Sequence, residues 1–504
     1  MLNRTQPPAF LADLPRGTPG TAQQGPRQSQ EFASLKEIQT RLAYDRDGVF
    51  LGIVDAAIKH DPKARPGADP RYAAGSPKNF VGVNDDRHVF TVASSRSGKG
   101  RSVLIPNLLM YPHSTIAIDP KGELATETAN HRQSKRGNDV VVLDPFGVSQ
   151  GCEKLRGGFN PFDGIIERTL IESSILIADA LVVDERDGKN VHWSEAAKSF
   201  LRGLIVHVKT GAKFEGRRHL GTVRELASMA ESGGSKDKLS DVASGMIAND
   251  VADGFVRRSA YDFFTKPDNE RGGVLSTLNR NLMFLDLPEI KRSVIQSSLS
   301  LSALKKKPTT VYLCLPARHM ATCSRWLRLL INLTIQSIEM TPASPNMPGR
   351  VYMLLDEMPV LGRMESIVSA AGEVAGHGLR MHYVFQDLTQ AKDIYGDRWQ
   401  TFVANSGVVQ CFSANDIFTA EWISKRLGRT TVAYSERSGA SGMALASQPF
   451  AGTGRTETVD LLAPHEVMRY FAREDRHLRQ LLLISGQPPV VCQKAYYDKI
   501  GSLL

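Results

Sequence analysis

Residues 93–100 read Ala-Ser-Ser-Arg-Ser-Gly-Lys-Gly, a composition suited to holding a phosphate chain. Small residues let successive backbone N–H groups turn toward one anion. A lysine adds a point charge for the β- and γ-phosphates, and a helix starting at once adds its positive end. The candidate cradle is Ser95, Arg96, Ser97, Gly98, Lys99, Gly100 and Arg101. The pattern G-x-x-x-x-G-K-[ST] is matched imperfectly, because Ala93 replaces the first glycine and Gly100 the hydroxyl residue that usually ligates Mg2+. Ala93 costs little where the backbone angles are ordinary. Ser102 is rotated to the far side of a 3.6-residue helix and is a poor substitute for the missing hydroxyl. The competing reading of the octamer is a surface turn with a solvated lysine.

A second group lies far along the chain. The apolar run 351–355 ends in Asp356-Glu357, as expected if Asp356 orients Mg2+ and Glu357 polarises the attacking water. A strand followed by a capping acid is the alternative. The run 381–385 ends in Gln386, whose amide would sense the γ-phosphate or position water, with a surface cap as the equal alternative. Arg380 precedes that run and would act across a subunit boundary on the transition-state charge, or simply be solvated. Lys99 and Asp356 are separated by more chain than a compact fold needs, so something must be inserted between them.

The elements that would position these groups alternate. Strands are expected at 89–93, 115–118 and 140–143, with helices at 99–110 and 123–136. Further strands follow at 310–315, 351–355, 381–385, 408–412 and 481–484, which implies a parallel sheet covered on both faces. Between 164 and 307 the pattern is helical, at 192–208, 221–231, 239–249, 260–266 and 275–285. The expected fold class is therefore α/β, with a parallel-rich central sheet interrupted by an all-α domain. Its parts are a mobile N-terminal arm at 1–35, nucleotide-binding segments at 36–163 and 308–504, the all-α insertion at 164–307, a loop rich in Pro, Gly and Ala at 61–77 and a flexible loop at 435–458. A helix is expected from residue 35 to 44. In another at 325–338, Trp326, Leu329, Leu330 and Leu333 form a packing face.

Composition limits the class. Of 504 residues, 41% are hydrophobic and 23% charged, which excludes disorder, small disulfide scaffolds and fibrous repeats. The five cysteines (Cys152, Cys314, Cys323, Cys411, Cys492) contain no C-x-x-C pair; they read as buried thiols in a reducing compartment rather than zinc ligands. A net charge of +9 permits an anionic partner without demanding one. Lys305-Lys306-Lys307, Arg257-Arg258 and Arg217-Arg218 are candidates for sequence-independent phosphate contacts with DNA, with solvated loop charges as the favoured alternative. No window offers about 18 apolar residues and no secretory signal opens the sequence, so a cytoplasmic location is expected.

Several blocks in one order resemble a known family, the coupling ATPases of type IV secretion and conjugation, the TraG-type proteins. They are Arg96-Ser-Gly-Lys-Gly100 with Val103-Leu-Ile-Pro-Asn-Leu-Leu109, Ile118-Asp-Pro-Lys-Gly-Glu-Leu124, Leu354-Leu-Asp-Glu-Met358 with Leu361-Gly362, Gln386-Asp-Leu388, Ile423-Ser-Lys-Arg-Leu-Gly428 and Leu462-Ala-Pro-His-Glu-Val467. The resemblance implies a RecA-like P-loop NTPase using ATP and Mg2+, assembled as a homo-hexamer with nucleotide between subunits. By position, Lys99 would bind phosphates, Asp356 the Mg2+, Glu357 would activate water, Gln386 would respond to the γ-phosphate, and Arg380 looks like the trans-acting arginine. The cargo would be a relaxase–DNA complex or protein effectors delivered to the channel of a type IV secretion system at the inner membrane, with the all-α insertion contacting it. Lys-Gly in place of Lys-Ser or Lys-Thr is frequent in this family. The family typically begins with two membrane-spanning helices and this sequence shows none. A chain peripheral at the membrane, held by a separate membrane-anchoring protein, or a missing start, is therefore expected. Two rivals are a ring translocase of the chromosome-pumping kind, disfavoured by the long all-α insertion, and a docking adaptor that binds nucleotide without turnover, disfavoured by Glu357.

Overall fold

The computed structural model describes residues 30–59, 71–73, 76–183, 191–231, 236–342, 350–435 and 454–500. Most of the expected arm at 1–35, of the loop at 61–77 and of the loop at 435–458 lies outside them. The chain divides into two compact units, residues 1–111 with 384–504, and residues 112–383.

In the first unit, strands β1 (Val49–Ile53), β4 (Phe80–Val83), β5 (His88–Ala93), β11 (Ser406–Phe412), β14 (Arg479–Ile484) and β15 (Val490–Gln493) lie in the order β4-β1-β15-β14-β11-β5. Strands β5 and β11 are parallel, with Ala93 opposite Phe412, and the other pairs are antiparallel. Every residue of β5 is buried, as fits a strand made of Val, Phe and Thr with elements on both faces. A seam of buried amides crosses these strands. Gln410 Nε2 donates to Gln480 Oε1 at 2.7 Å, Thr91 donates to Gln410 Oε1 at 3.1 Å, and Gln480 Nε2 donates to Leu51 O at 2.7 Å. Gly52 is required there, since a Cβ on it would collide with the Gln480 amide.

Two hairpins complete this unit: β2 (Ala57–Lys59) with β3 (Arg71–Ala73), and β12 (Arg429–Ser435) with β13 (Gly454–Asp460). The second corrects the expected loop at 435–458. Its described edges are strand, because the β-branched run Thr430-Thr-Val432 pairs residue by residue with 457–459. A short helix, Leu35–Arg41, starts where expected, with a capping box between Ser34 and Glu37.

In the second unit β6 (Thr115–Asp119), β7 (Asp139–Leu143), β8 (Thr309–Cys314), β9 (Val351–Leu355) and β10 (Leu379–Phe385) are all parallel, in the order β10-β9-β6-β8-β7. Strand β10 ends in the first unit, at Val384 and Phe385. Strands β6, β8, β9 and β10 are buried throughout. Helix Ala317–Met340 buries Trp326, Leu329, Leu330 and Leu333, the face expected to pack.

Between β7 and β8 the described residues hold helices and no strand, the longest being Val191–Thr210. The helix Leu170–Leu181 was not expected. These helices share one compact unit with β6–β9 and most of β10. Side chains from the helix after β8 bond to them and to the turn after β9. Arg328 donates to Ala180 O at 3.4 Å and to Leu361 O at 2.7 Å, and Arg325 donates to Asn281 Oδ1 at 3.0 Å. The architecture is α/β and parallel-rich, interrupted by helices as expected. All five cysteines are free and buried.

Candidate nucleotide site

The loop after β5 is shaped by two left-handed residues, Arg96 at φ 59° and Gly98 at φ 90°. Ser97 N–H donates to Ser94 O at 3.2 Å, closing the turn. Lys99 already has helical angles, and a wide π-helical turn over Gly100–Leu104 leads into the α-helix Ile105–Met110. The start of the helix thus falls directly on Lys99 and Gly100. Ser95 and Arg96 are exposed, Gly98, Lys99 and Gly100 half-buried, and Ser97 buried with a hydroxyl that meets no hydrogen-bond partner among the described residues.

Ser102 does not replace the missing metal-ligating hydroxyl. It is buried and donates to Gly98 O at 2.9 Å. Around Gly100 an added Cβ would meet nothing within 4 Å, so the glycine is not enforced by packing. Arg101 departs from its expected place among the phosphate contacts. Its guanidinium is taken by Asp498 at 2.7 and 3.1 Å and lies over the Tyr496 ring, 4.5 Å from the centroid.

Gln386 belongs to the same unit as this loop. The ring of its neighbour Phe385 stacks on Phe90 of β5, centroids 5.4 Å apart. Gln386 is half-buried, its N–H donates to Gln390 Oε1 at 3.2 Å, and Asp387 caps the next helix by accepting from Gln390 N–H at 2.8 Å. The end of β10 is therefore fixed beside β5 within the first unit.

Asp356 and Glu357 follow β9 in the second unit, both half-buried. Glu357 is in the left-handed region at φ 65° and ψ 49°, costly for a non-glycine residue and a mark of sites where function holds strain. The turn also ends the strand's alternation, so two successive acids need not point to opposite sheet faces. Strand β6 lies beside β9 with Ala117 opposite Leu354, and the same register continued brings Asp119 level with Asp356.

Asp119 is buried and accepts from Ala125 N–H at 2.8 Å. Burial raises its pKa to about 6 against the lowering effect of helix amides, and the nearby Asp356 adds to the rise. Asp119 was not among the expected site residues, although it ends its strand as Asp356 ends β9. Paired carboxylate oxygens of this kind fit a hard divalent cation such as Mg2+, whose charge would relieve their repulsion.

Arg380 departs from expectation. It is the second residue of β10, level with Tyr352 near the start of β9, and 1% exposed. A guanidinium so enclosed, at the end of the parallel strands opposite Asp356, is not presented to a neighbouring subunit. The basic clusters are largely engaged at home. Lys305 donates to Ile338 O and His377 O, both at 3.0 Å, Lys307 pairs with Asp139, Arg257 pairs with Asp250 at 3.0 Å, and Arg217 pairs with Glu225.

Residues 32–500 match the family described as Type IV secretory system Conjugative DNA transfer. The conjugal transfer protein TraG of Escherichia coli is 28% identical over 466 residues, 88% of this chain and 70% of that protein. The type IV secretion system-coupling protein VirD4 of Bartonella quintana (strain Toulouse) is 25% identical over 451 residues, 87% of this chain and 67% of that protein. Among solved structures, the unbound bacterial conjugative coupling protein TrwBdeltaN70 superposes with a TM-score of 0.65 at 14% identity, covering 93% of this chain and 94% of that one. TrwB in complex with the non-hydrolysable ATP analogue ADPNP gives 0.63 at 14% identity, covering 95% and 96%. At that identity the likeness shows a shared RecA-like fold. Among the described residues no helix is long and apolar enough to cross a membrane. With nearly its whole length matched and its fold shared, the chain belongs to the type IV secretory conjugative DNA transfer family, the coupling proteins.

Proposed function

We propose that this chain is an ATP-hydrolysing coupling protein that recruits a relaxase–DNA complex, or protein effectors, and delivers it to a type IV secretion channel. The observation that carries the nucleotide part is the loop 94–99, where two left-handed residues lead into an immediate helix start at Lys99. TrwB, of the same fold, has been crystallised with ADPNP and with ADP and Mg2+, which supports both cofactors here.

In this reading the loop amides and the Lys99 ammonium hold the β- and γ-phosphates and neutralise part of their charge. Asp356 would hold Mg2+, which when bound supplies further charge neutralisation on the phosphate oxygens. Glu357 accepts a proton from water as the water oxygen attacks the γ-phosphorus and the bond to the β–γ bridging oxygen breaks, releasing ADP and phosphate; the Gln386 amide orients that water or the phosphate. Arg380 has no part, since its guanidinium is enclosed. Assembly as a homo-hexamer, sequence-independent DNA contacts, cargo contacts from the helices between β7 and β8, and a peripheral place at the inner membrane through a separate anchoring protein complete the proposal.

The test is ATP hydrolysis by the purified chain with and without DNA. Hydrolysis stimulated by DNA and lost in Lys99→Ala together with nucleotide binding supports the reading. Binding without turnover at every protein concentration points to a nucleotide-set docking adaptor. DNA-stimulated turnover in a strain whose conjugation is unaffected by deletion points to a generic translocase.

A further inference from the structure

We propose that Tyr496 and Asp498, in the C-terminal turn, are positioning residues of the phosphate loop; this rests on the nucleotide-binding reading above. The loop combines left-handed turns with open space around one glycine. Arg96 and Gly98 sit in the left-handed region, Gly100 has open space around it, and its closing bonds run among residues 94–102. Against it stands an element 397 positions away in sequence. Asp498 takes Arg101 through two hydrogen bonds, 3.1 Å to Nε and 2.7 Å to Nη2, while the guanidinium stacks on Tyr496. The same ring closes on Gly98, where an added Cβ would stand 3.2 Å from Tyr496 Cε1 and 3.5 Å from its hydroxyl. One aromatic ring thus touches both the last left-handed residue of the loop and the side chain of the first helical turn.

The turn itself is firmly held. Tyr496 O accepts from Lys499 N–H at 2.9 Å and Ile500 N–H at 3.1 Å. Ile500 and Ala495 are buried in one apolar cluster with Phe50, Phe80 and Met110, and Met110 ends the helix that the phosphate loop begins. The two ends of that helix are therefore braced by one C-terminal segment, Tyr496 and Asp498 at the loop end and Ala495 and Ile500 at Met110. Because Asp498 neutralises Arg101, the arginine serves the shape of the loop while Lys99 supplies charge to the phosphates. A site whose amides are aligned before the ligand arrives binds more tightly without changing the reaction that follows.

The experiment titrates the full chain with a fluorescent ATP analogue and measures hydrolysis at saturating ATP. Asp498→Asn is expected to weaken binding about fivefold and Tyr496→Ala about tenfold. Asp498→Glu and Tyr496→Phe should recover most of the loss, and turnover at saturation should stay within about twofold of wild type. Equal binding by wild type, Asp498→Asn and Tyr496→Ala overturns the inference, as does an equal loss in the conservative pair. If wild type binds no nucleotide, the nucleotide reading fails instead. The positioning role is then judged by hydrogen exchange of amides 95–101, which quickens in Asp498→Asn if the turn braces the loop and is unchanged if it does not.

Discussion

Asp119 and Asp356 stand level at the tips of neighbouring parallel strands, close enough that the charge of one raises the pKa of the other. Asp119 also accepts from Ala125 N–H at the start of the helix Glu123–Ser134, so it joins a structural duty to an electrostatic one. The two are separable. Asp119→Asn keeps an acceptor and removes a buried charge, so its unfolding free energy at pH 8 should lie within about 1 kcal/mol of wild type. Asp119→Leu orphans the helix amide and should cost about 2–3 kcal/mol. Urea unfolding of both variants distinguishes the two duties.

His382 is buried in β10 and hydrogen-bonded to the Tyr352 hydroxyl, and burial pushes its pKa down to about 3. A lowered folded-state value means that the unfolded chain binds the proton first, from about pH 6.5 downward. Stability therefore falls as pH drops from 6.5 toward 3. His382→Gln removes that contribution, so its stability should fall less steeply than that of wild type, by about 2–3 kcal/mol between pH 6.5 and 4. Denaturant unfolding at several pH values measures the difference.

The buried amide seam ties β5, which leads into the phosphate loop, to β11, β14 and β1. Gln410→Leu removes its bonds with the Thr91 hydroxyl, the Gln480 side-chain carbonyl and Leu51 O. A cost of about 2–4 kcal/mol is expected, read as a lower urea midpoint with an unchanged slope.

Gly100→Ser tests whether the missing hydroxyl is a loss. Nothing lies within 4 Å of the added Cβ, and serine exceeds glycine in helix propensity by about 0.5 kcal/mol. The variant should melt at or slightly above the wild-type temperature and bind Mg-nucleotide at least as tightly. A drop in melting temperature would show that the wide turn at 100–104 needs glycine.

Much of this was readable in the chain. Strand β9 matches its expected bounds, because five apolar residues lie between Arg350 and Asp356, and the loop at 94–99 announced itself by composition. The antiparallel strands β1, β4 and β15 were not seen. They are short, β1 and β4 contain Gly52 and Gly82, and β1 joins β15 only through a partner 440 positions away, Ile53 opposite Gln493. Long-range pairing also hid the rest. The partner of Arg101 is Asp498, and Asp119 acquires meaning only beside Asp356. Arg380 read as a solvated or trans-acting cation because a charged residue at a strand start gives no local sign of being enclosed.

The most direct test of the central claim is nucleotide binding and ATP turnover by Glu357→Gln in the presence of DNA. The account predicts binding within about threefold of wild type and turnover reduced by about 100-fold or more, the loss expected when a water-activating carboxylate becomes an amide. Turnover equal to that of wild type would contradict the assignment of Glu357, and with it the hydrolytic centre proposed for this chain.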